Sequence, residues 1–199
     1  MNDAYFQPWI GKHYDKNRTL ILSESTYDWI GEDGNSYTPQ PDHASDGISW
    51  QIEHFSSKRG YFTALIRSIC DEETPSKERM SEVWNEYAYT PYVQSSVGNG
   101  PGIRPSTQQW EEAKPHFLNL IERLRPQKVI VTGIEMWKTM PECDAKLVDD
   151  LQAYRLVDGS FVWCLALPHP ASRTAGKGFA WRDVASSIKL FRETGFPPR

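Results

Sequence analysis

Cysteine is scarce in this chain and poorly placed for cross-linking or metal binding. Cys70, Cys143 and Cys164 form an odd set without C-x-x-C spacing, which excludes a disulfide framework and a thiolate zinc site. His13, His43, His54 and His116 have no metal-ligand spacing either and read as structural or exposed. Long apolar runs are also missing. None approaches the roughly 18 residues that cross a bilayer, and the opening MNDAYFQPW lacks the basic-then-apolar order of a secretory leader. There is no internal repeat and no low-complexity tract. Positive charge is not in excess, since 22 Lys and Arg against 26 Asp and Glu leave a net charge of −4. A protein wrapped broadly around nucleic acid would be basic, so only a local basic patch beside a cleft stays open. The expectation is a soluble, cytoplasmic chain with no membrane contact, no metal and no cofactor.

Aromatic residues, by contrast, are plentiful. They make up 13% of the 199 residues, with eight tryptophans, enough for the core of one large domain over residues 1–199. The most informative stretch is Phe161–Ser172, FVWCLALPHPAS. Its first seven residues are all apolar, the mark of an interior strand in a parallel sheet. Two prolines then bracket His169 and end the strand. Thr19–Ser23 and Lys128–Thr132 read as further buried strands, and Tyr87–Val93 as another.

Helices fit between them. Tyr61–Cys70 repeats apolar residues at Phe62, Leu65, Ile66 and Ile69, and Ile48–Phe55 and Ser76–Trp84 have helical character. Ser106-Thr107-Gln108-Gln109 is a capping box opening a helix through Leu124, which Pro115 should kink or divide. A short helix is expected near Glu135–Met140 and a final helix near Trp181–Thr194. Gly31–Gly47 and Ser95–Arg104 are rich in turn residues and read as loops. Strands alternating with helices predict a three-layer α/β/α sandwich around a mainly parallel sheet of about four strands. Ser23, Val93, Gly133 and Leu167 would then end along one edge, where ligands of such sheets bind.

The ordered set of motifs at that edge carries a resemblance. Ser23-Glu24-Ser25-Thr26-Tyr27 follows the first strand, TPYVQ ends the next, a Gly-rich loop leads to Arg104-Pro105, VIVTG ends a third, and His169-Pro170-Ala171-Ser172 ends the last. From about Leu20 to Ser172 this resembles the uracil-DNA glycosylase superfamily, in a bacterial uracil-DNA glycosylase-like branch. The resemblance implies a DNA N-glycosylase that excises a deaminated or otherwise modified base flipped from the stack. It implies that Glu24 positions the attacking water and that His169 hydrogen-bonds the departing base. Ser23, Ser25, Tyr27, Asn85, Tyr92 and Ser172 would line the base pocket, and Arg104, Arg173 and Lys177 would hold DNA.

The motifs also depart from the family. Where relatives present an asparagine that reads the base edge, this chain has Pro91-Tyr92-Val93, and Asn85 lies six residues early. Motif A lacks its glycine and proline. Three cysteines cannot hold the iron–sulfur cluster of one branch of the family. Each candidate also has a plainer reading: Glu24 as a solvated strand-end carboxylate, Arg104 as a structural ion-pair partner, Tyr27 and Trp29 as cover for a sheet edge. Two other functions stay open. One is a non-catalytic module of this fold that binds a modified nucleotide, DNA or a protein partner. The other is a hydrolase of free nucleosides or nucleotides.

Overall fold

A computed structural model of the chain describes residues 5–31, 33–55, 60–100, 102–172 and 180–196. The chain opens with a two-residue strand, β1 (Trp9–Ile10), and one turn of helix, α1 (Tyr14–Asn17). Gly11 between them crosses the backbone of Asn85 so closely that any side chain would collide with it. β2 (Thr19–Ser23) is buried at every position, and the chain then folds over the sheet edge as β3 (Thr26–Ile30) and β4 (Ser36–Tyr37). Three helices follow, α2 (His43–Glu53), α3 (Tyr61–Cys70) and α4 (Lys77–Trp84), the last capped by the Ser76 hydroxyl. β5 (Tyr87–Pro91) and β6 (Ser96–Asn99) lead to the long helix α5 (Thr107–Leu124). β7 (Lys128–Thr132), α6 (Ile134–Thr139), β8 (Ala145–Val148), β9 (Leu151–Arg155), β10 (Phe161–Leu167) and α7 (Trp181–Glu193) complete the order.

The main sheet has seven strands in the order β1-β5-β2-β7-β10-β9-β8. Its four central strands, β5, β2, β7 and β10, are parallel. β1 pairs antiparallel with β5, and β9 and β8 extend the other side antiparallel. The expectation of about four strands thus holds for the parallel centre and misses the antiparallel flanks. Both faces are covered, as parallel strands require. Ile21, Tyr89, Ile130 and Trp163 face α2, α3, α4 and α7, while Leu22, Ala88, Val131 and Cys164 face α5 and α6. Each fully buried Leu, Ile or Val contributes roughly 1.5–3 kcal/mol.

Several boundaries differ from the sequence expectation. The helix expected from Ile48 begins at His43, because Ala44, Ile48 and Gln51 form one buried stripe. Gly47, which looks like a turn residue, sits inside that helix under the Phe62 ring. The loop expected over Ser95–Arg104 contains β6, which pairs parallel with β3 in a second, three-stranded sheet β4-β3-β6. Gly98, Gly100 and Gly102 all have positive φ there, a conformation open to glycine at little cost. Pro115 does not divide α5, which runs unbroken behind the expected capping box of Ser106 and Gln109. The strand expected through Val93 ends at Pro91, yet Tyr92 and Val93 still donate to the carbonyls of Ser23 and Glu24, at 2.8 and 3.0 Å.

Candidate functional site

β2 lies between β5 and β7, so the chain leaves its first long strand towards one side and later returns on the other. A crevice forms where strand order reverses in this way, at the carboxyl ends of the strands. Glu24 follows β2, Gly133 follows β7 and His169 follows β10, all at that edge. Gly133 marks where they meet. A Cβ on it would lie 3.6 Å from Glu24 Oε2 and 3.9 Å from His169 Cδ2. The carboxylate and the imidazole therefore approach one point from two strands.

Glu24 is 6% exposed. A backbone hydrogen bond from Val93 pins its carbonyl, and Arg104 Nη2 reaches its Oε2 at 2.9 Å. Burial pushes the carboxyl above the usual glutamate range, an effect the Arg104 guanidinium opposes without cancelling and Glu135 adds to. Burying an unpaired carboxylate would cost far more than this arrangement does. Arg104 is thus an ion-pair partner of Glu24, as the plainer reading of its position expects, with its side chain still half-exposed.

His169 is held by its own loop. The Ala171 N–H donates to its Nδ1 at 3.2 Å, the Ser172 N–H donates to its carbonyl at 2.8 Å, and the Tyr61 ring packs against it with centroids 5.3 Å apart. A ring nitrogen that accepts a hydrogen bond carries no proton, so the neutral imidazole bears its proton on Nε2. Burial, then the positive charge of Arg104, holds His169 below the ordinary histidine range. The ring is a neutral donor.

Beneath these two groups lies a layer of hydroxyls. Thr132 donates to the carbonyl of Leu22 at 2.7 Å, the Tyr61 hydroxyl lies 2.8 Å from Thr132 Oγ1, and Tyr89 donates to Ser23 Oγ at 3.0 Å. Burial pushes Tyr61 well above the usual phenol range and Tyr89 up to about 12, so both stay protonated. Sequence reasoning placed Gly133 at this edge but not as the point where Glu24 and His169 meet, and it missed Tyr61 and Thr132 as parts of the site. The signal for Gly133 was its place directly after a buried strand. Tyr61 gave none beyond opening an apolar helix.

The other candidates scatter. Ser23 is buried beneath the site, and Ser25 is half-buried in the link to β3. Tyr27 is exposed on β3, and Ser172 holds the His169 loop through its backbone. Tyr92 does not face the crevice: its ring is buried among Trp110 and Phe117, centroids 6.1 and 6.0 Å away. Asn85 lies at the amino-terminal edge of the sheet, remote from the site. There it ends α4, donates to the Ser81 carbonyl and accepts from the Lys12 N–H. Arg173 and Lys177 lie outside the described residues. His43, read as structural or exposed, is half-buried with its Nε2 2.9 Å from Thr26 Oγ1, two residues beyond Glu24.

A cleft of about 860 Å³ opens at the opposite, amino-terminal edge, lined by Arg18, Arg125, Lys128 and Arg192. Its cations are engaged. Arg18 donates to the Arg125 carbonyl at the end of α5, and Lys128 to the Arg192 carbonyl at the end of α7. Arg125 pairs with Asp158 and Arg192 with Glu86. Helix C-termini carry partial negative charge and attract cations, so the cluster serves the fold. Among the described residues no three His, Cys, Asp or Glu side chains come together as metal ligands would. No helix among them is long and apolar enough to cross a membrane. No protein-family model matches the chain, and no curated protein matches it.

Proposed function

We propose that this chain is a base-excising N-glycosylase of the uracil-DNA glycosylase kind, acting on a deaminated or otherwise modified base. The observation that supports it is the convergence of a buried, ion-paired carboxylate and a neutral Nε2–H imidazole on one point beside Gly133. The parallel centre of the sheet and the strand-end positions of both residues agree with the fold that the motifs imply.

Hydrolysis breaks the C1′–N bond and forms a C1′–O bond to water. Positive charge builds on the sugar and negative charge on the leaving base. Glu24, ion-paired with Arg104, orients the water, takes up its proton and faces the sugar cation. The Nε2–H of His169 donates to a carbonyl oxygen of the leaving base and stabilises its anion. A neutral donor suits this task because its proton stays in place while the charge develops. Without a side chain on Gly133, Glu24 and His169 approach the same point from their two strands.

A second reading is a hydrolase or binding module for a free nucleotide. The surroundings of the site favour it: Arg104 is committed to Glu24, Lys138 is paired with Glu135 at 2.7 Å, and Tyr92 and Asn85 are both turned away from the crevice. Oligonucleotides carrying uracil, hypoxanthine, xanthine or alkylated bases, single- and double-stranded, test the main reading when scored for abasic sites. Base release from any of them supports it. Affinity for one of them with no abasic product from any rejects the enzyme in favour of a binding module.

A further inference from the structure

Arg104 sits at the junction of two unlike segments. Upstream, Gly98, Gly100 and Gly102 have φ of 110°, 94° and 93°, and a Cβ on Gly100 or Gly102 would meet nothing within 4 Å. Downstream, Pro105 is buried and Ser106 is locked into the capping box of α5. The guanidinium is thus delivered from a firm base across an open loop. It is half-exposed, while the carboxylate it meets is almost wholly buried. Glu24 Oε2, 2.9 Å from Arg104, lies within 4 Å of the same point as His169 Cδ2.

We infer that Arg104 is the positioning residue that joins the two halves of this site, its one guanidinium fixing the charge carried by Glu24 and by His169 together. The charged and titratable groups facing Arg104 are Glu24 from the end of β2, Glu135 from α6 and His169 from the end of β10, with Tyr61 from α3 packed on the His169 ring. Lys138 is spent on Glu135. Burial alone drives both Glu24 and His169 towards neutrality. Arg104 opposes burial at Glu24 and adds to it at His169. One cation therefore selects the mixed state, carboxylate with neutral imidazole, which burial by itself does not. A lysine there would supply the charge without the planar fork.

The inference deepens the glycosylase reading and rests on it only for its kinetic consequence. The direct test is an NMR titration of the His169 ring, with infrared or carbon-detected titration of Glu24, in the wild-type protein, Arg104→Gln and Arg104→Lys. Loss of the cation should raise the His169 pKa and raise that of Glu24 as well. Arg104→Lys should restore most of both. If base release is measurable, the acidic limb of kcat/KM should move to higher pH in Arg104→Gln and return part of the way in Arg104→Lys. Unchanged titrations of both groups in a folded Arg104→Gln protein overturn the inference. Should Arg104→Gln fail to fold, Arg104→Lys carries the test, and titrations far from wild type in that charge-preserving variant overturn it equally. A wild-type protein that releases no base at any pH defeats the glycosylase reading and leaves these titrations to decide the inference alone.

Discussion

Glu24 Oε2 and His169 Cδ2 lie 3.6 and 3.9 Å from the position that a Cβ on Gly133 would take. Those are ordinary contact distances, and Gly133 has extended backbone, φ 169°. Gly133→Ala should therefore fold with a stability change within about 1 kcal/mol, read from urea denaturation. Gly133→Leu should fill the space between the two groups. Base release, or affinity for the nucleotide the panel identifies, should fall at least about tenfold, and a leucine variant with undiminished activity would show that the ligand sits elsewhere.

Removing either polar group should separate chemistry from binding. His169→Ala should slow base release by about 10²–10³-fold, the usual effect of deleting one donor to a developing anion. Glu24→Gln should slow the same step while leaving affinity for damaged DNA largely intact. Single-turnover rates and gel-shift affinities on the same oligonucleotide check both. Equal losses of rate and affinity in Glu24→Gln would move that residue from catalysis to binding.

Pro115 lies exposed inside α5, where it denies the Glu111 carbonyl its helical partner. Pro115→Ala should restore that bond and stabilise the fold by about 1–2 kcal/mol, after the loss of proline's restraint on the unfolded chain. Thermal and urea midpoints should both rise, and a fall in either would mean that the proline packs usefully.

Acid should weaken the fold through His43. Burial holds its pKa below the ordinary histidine value, with Asp46 and Asp42 pulling the other way. The unfolded chain therefore binds protons more readily, so stability contributed at neutral pH is lost as pH falls from about 6.5 through the folded value. Urea midpoints between about pH 7.5 and pH 5 should decline less steeply in His43→Gln than in the wild-type protein. Identical slopes would place the acid sensitivity on other groups.

In the core, Ile130 is fully buried on β7, between β2 and β10. Ile130→Ala should cost about 2–5 kcal/mol through lost burial and the cavity left behind. Val157→Ser, at a residue 92% exposed, should cost less than about 0.5 kcal/mol. Denaturant midpoints of the two variants give the comparison.

Strands buried on both faces were the legible ones. β2, β7 and β10 read as unbroken apolar runs and occupy the boundaries expected of them, as does α3 with its regular stripe. β9 was hidden because Gln152 is buried in it, satisfied by the Tyr154 hydroxyl at 2.6 Å, so no apolar run shows. β3 was hidden by its partial exposure and the shift in its pairing with β6. At the crevice, Glu24 and His169 could be found because each follows a strand of known direction. Tyr61 could not, since its approach to His169 depends on how α3 packs across the sheet. Tyr92 misled for the opposite reason: it stands at a strand end, but its ring turns inward beneath α5.

The order of the sheet also governs when the protein can become whole. Thr19 pairs with Tyr87 on one side and with Lys128 on the other, so during synthesis the early strand waits with one open side until more than half the chain has emerged. An unfinished chain ending before Lys128 holds Glu24 and Arg104 but neither Gly133 nor His169. It also presents the apolar edge of Thr19–Ser23 to any passing strand, the kind of exposed edge on which chains aggregate. Truncated products that end before Lys128 should accordingly collect in the insoluble fraction and show no activity, and closure of that edge by β7 precedes completion of the crevice, which waits for His169 beyond β10.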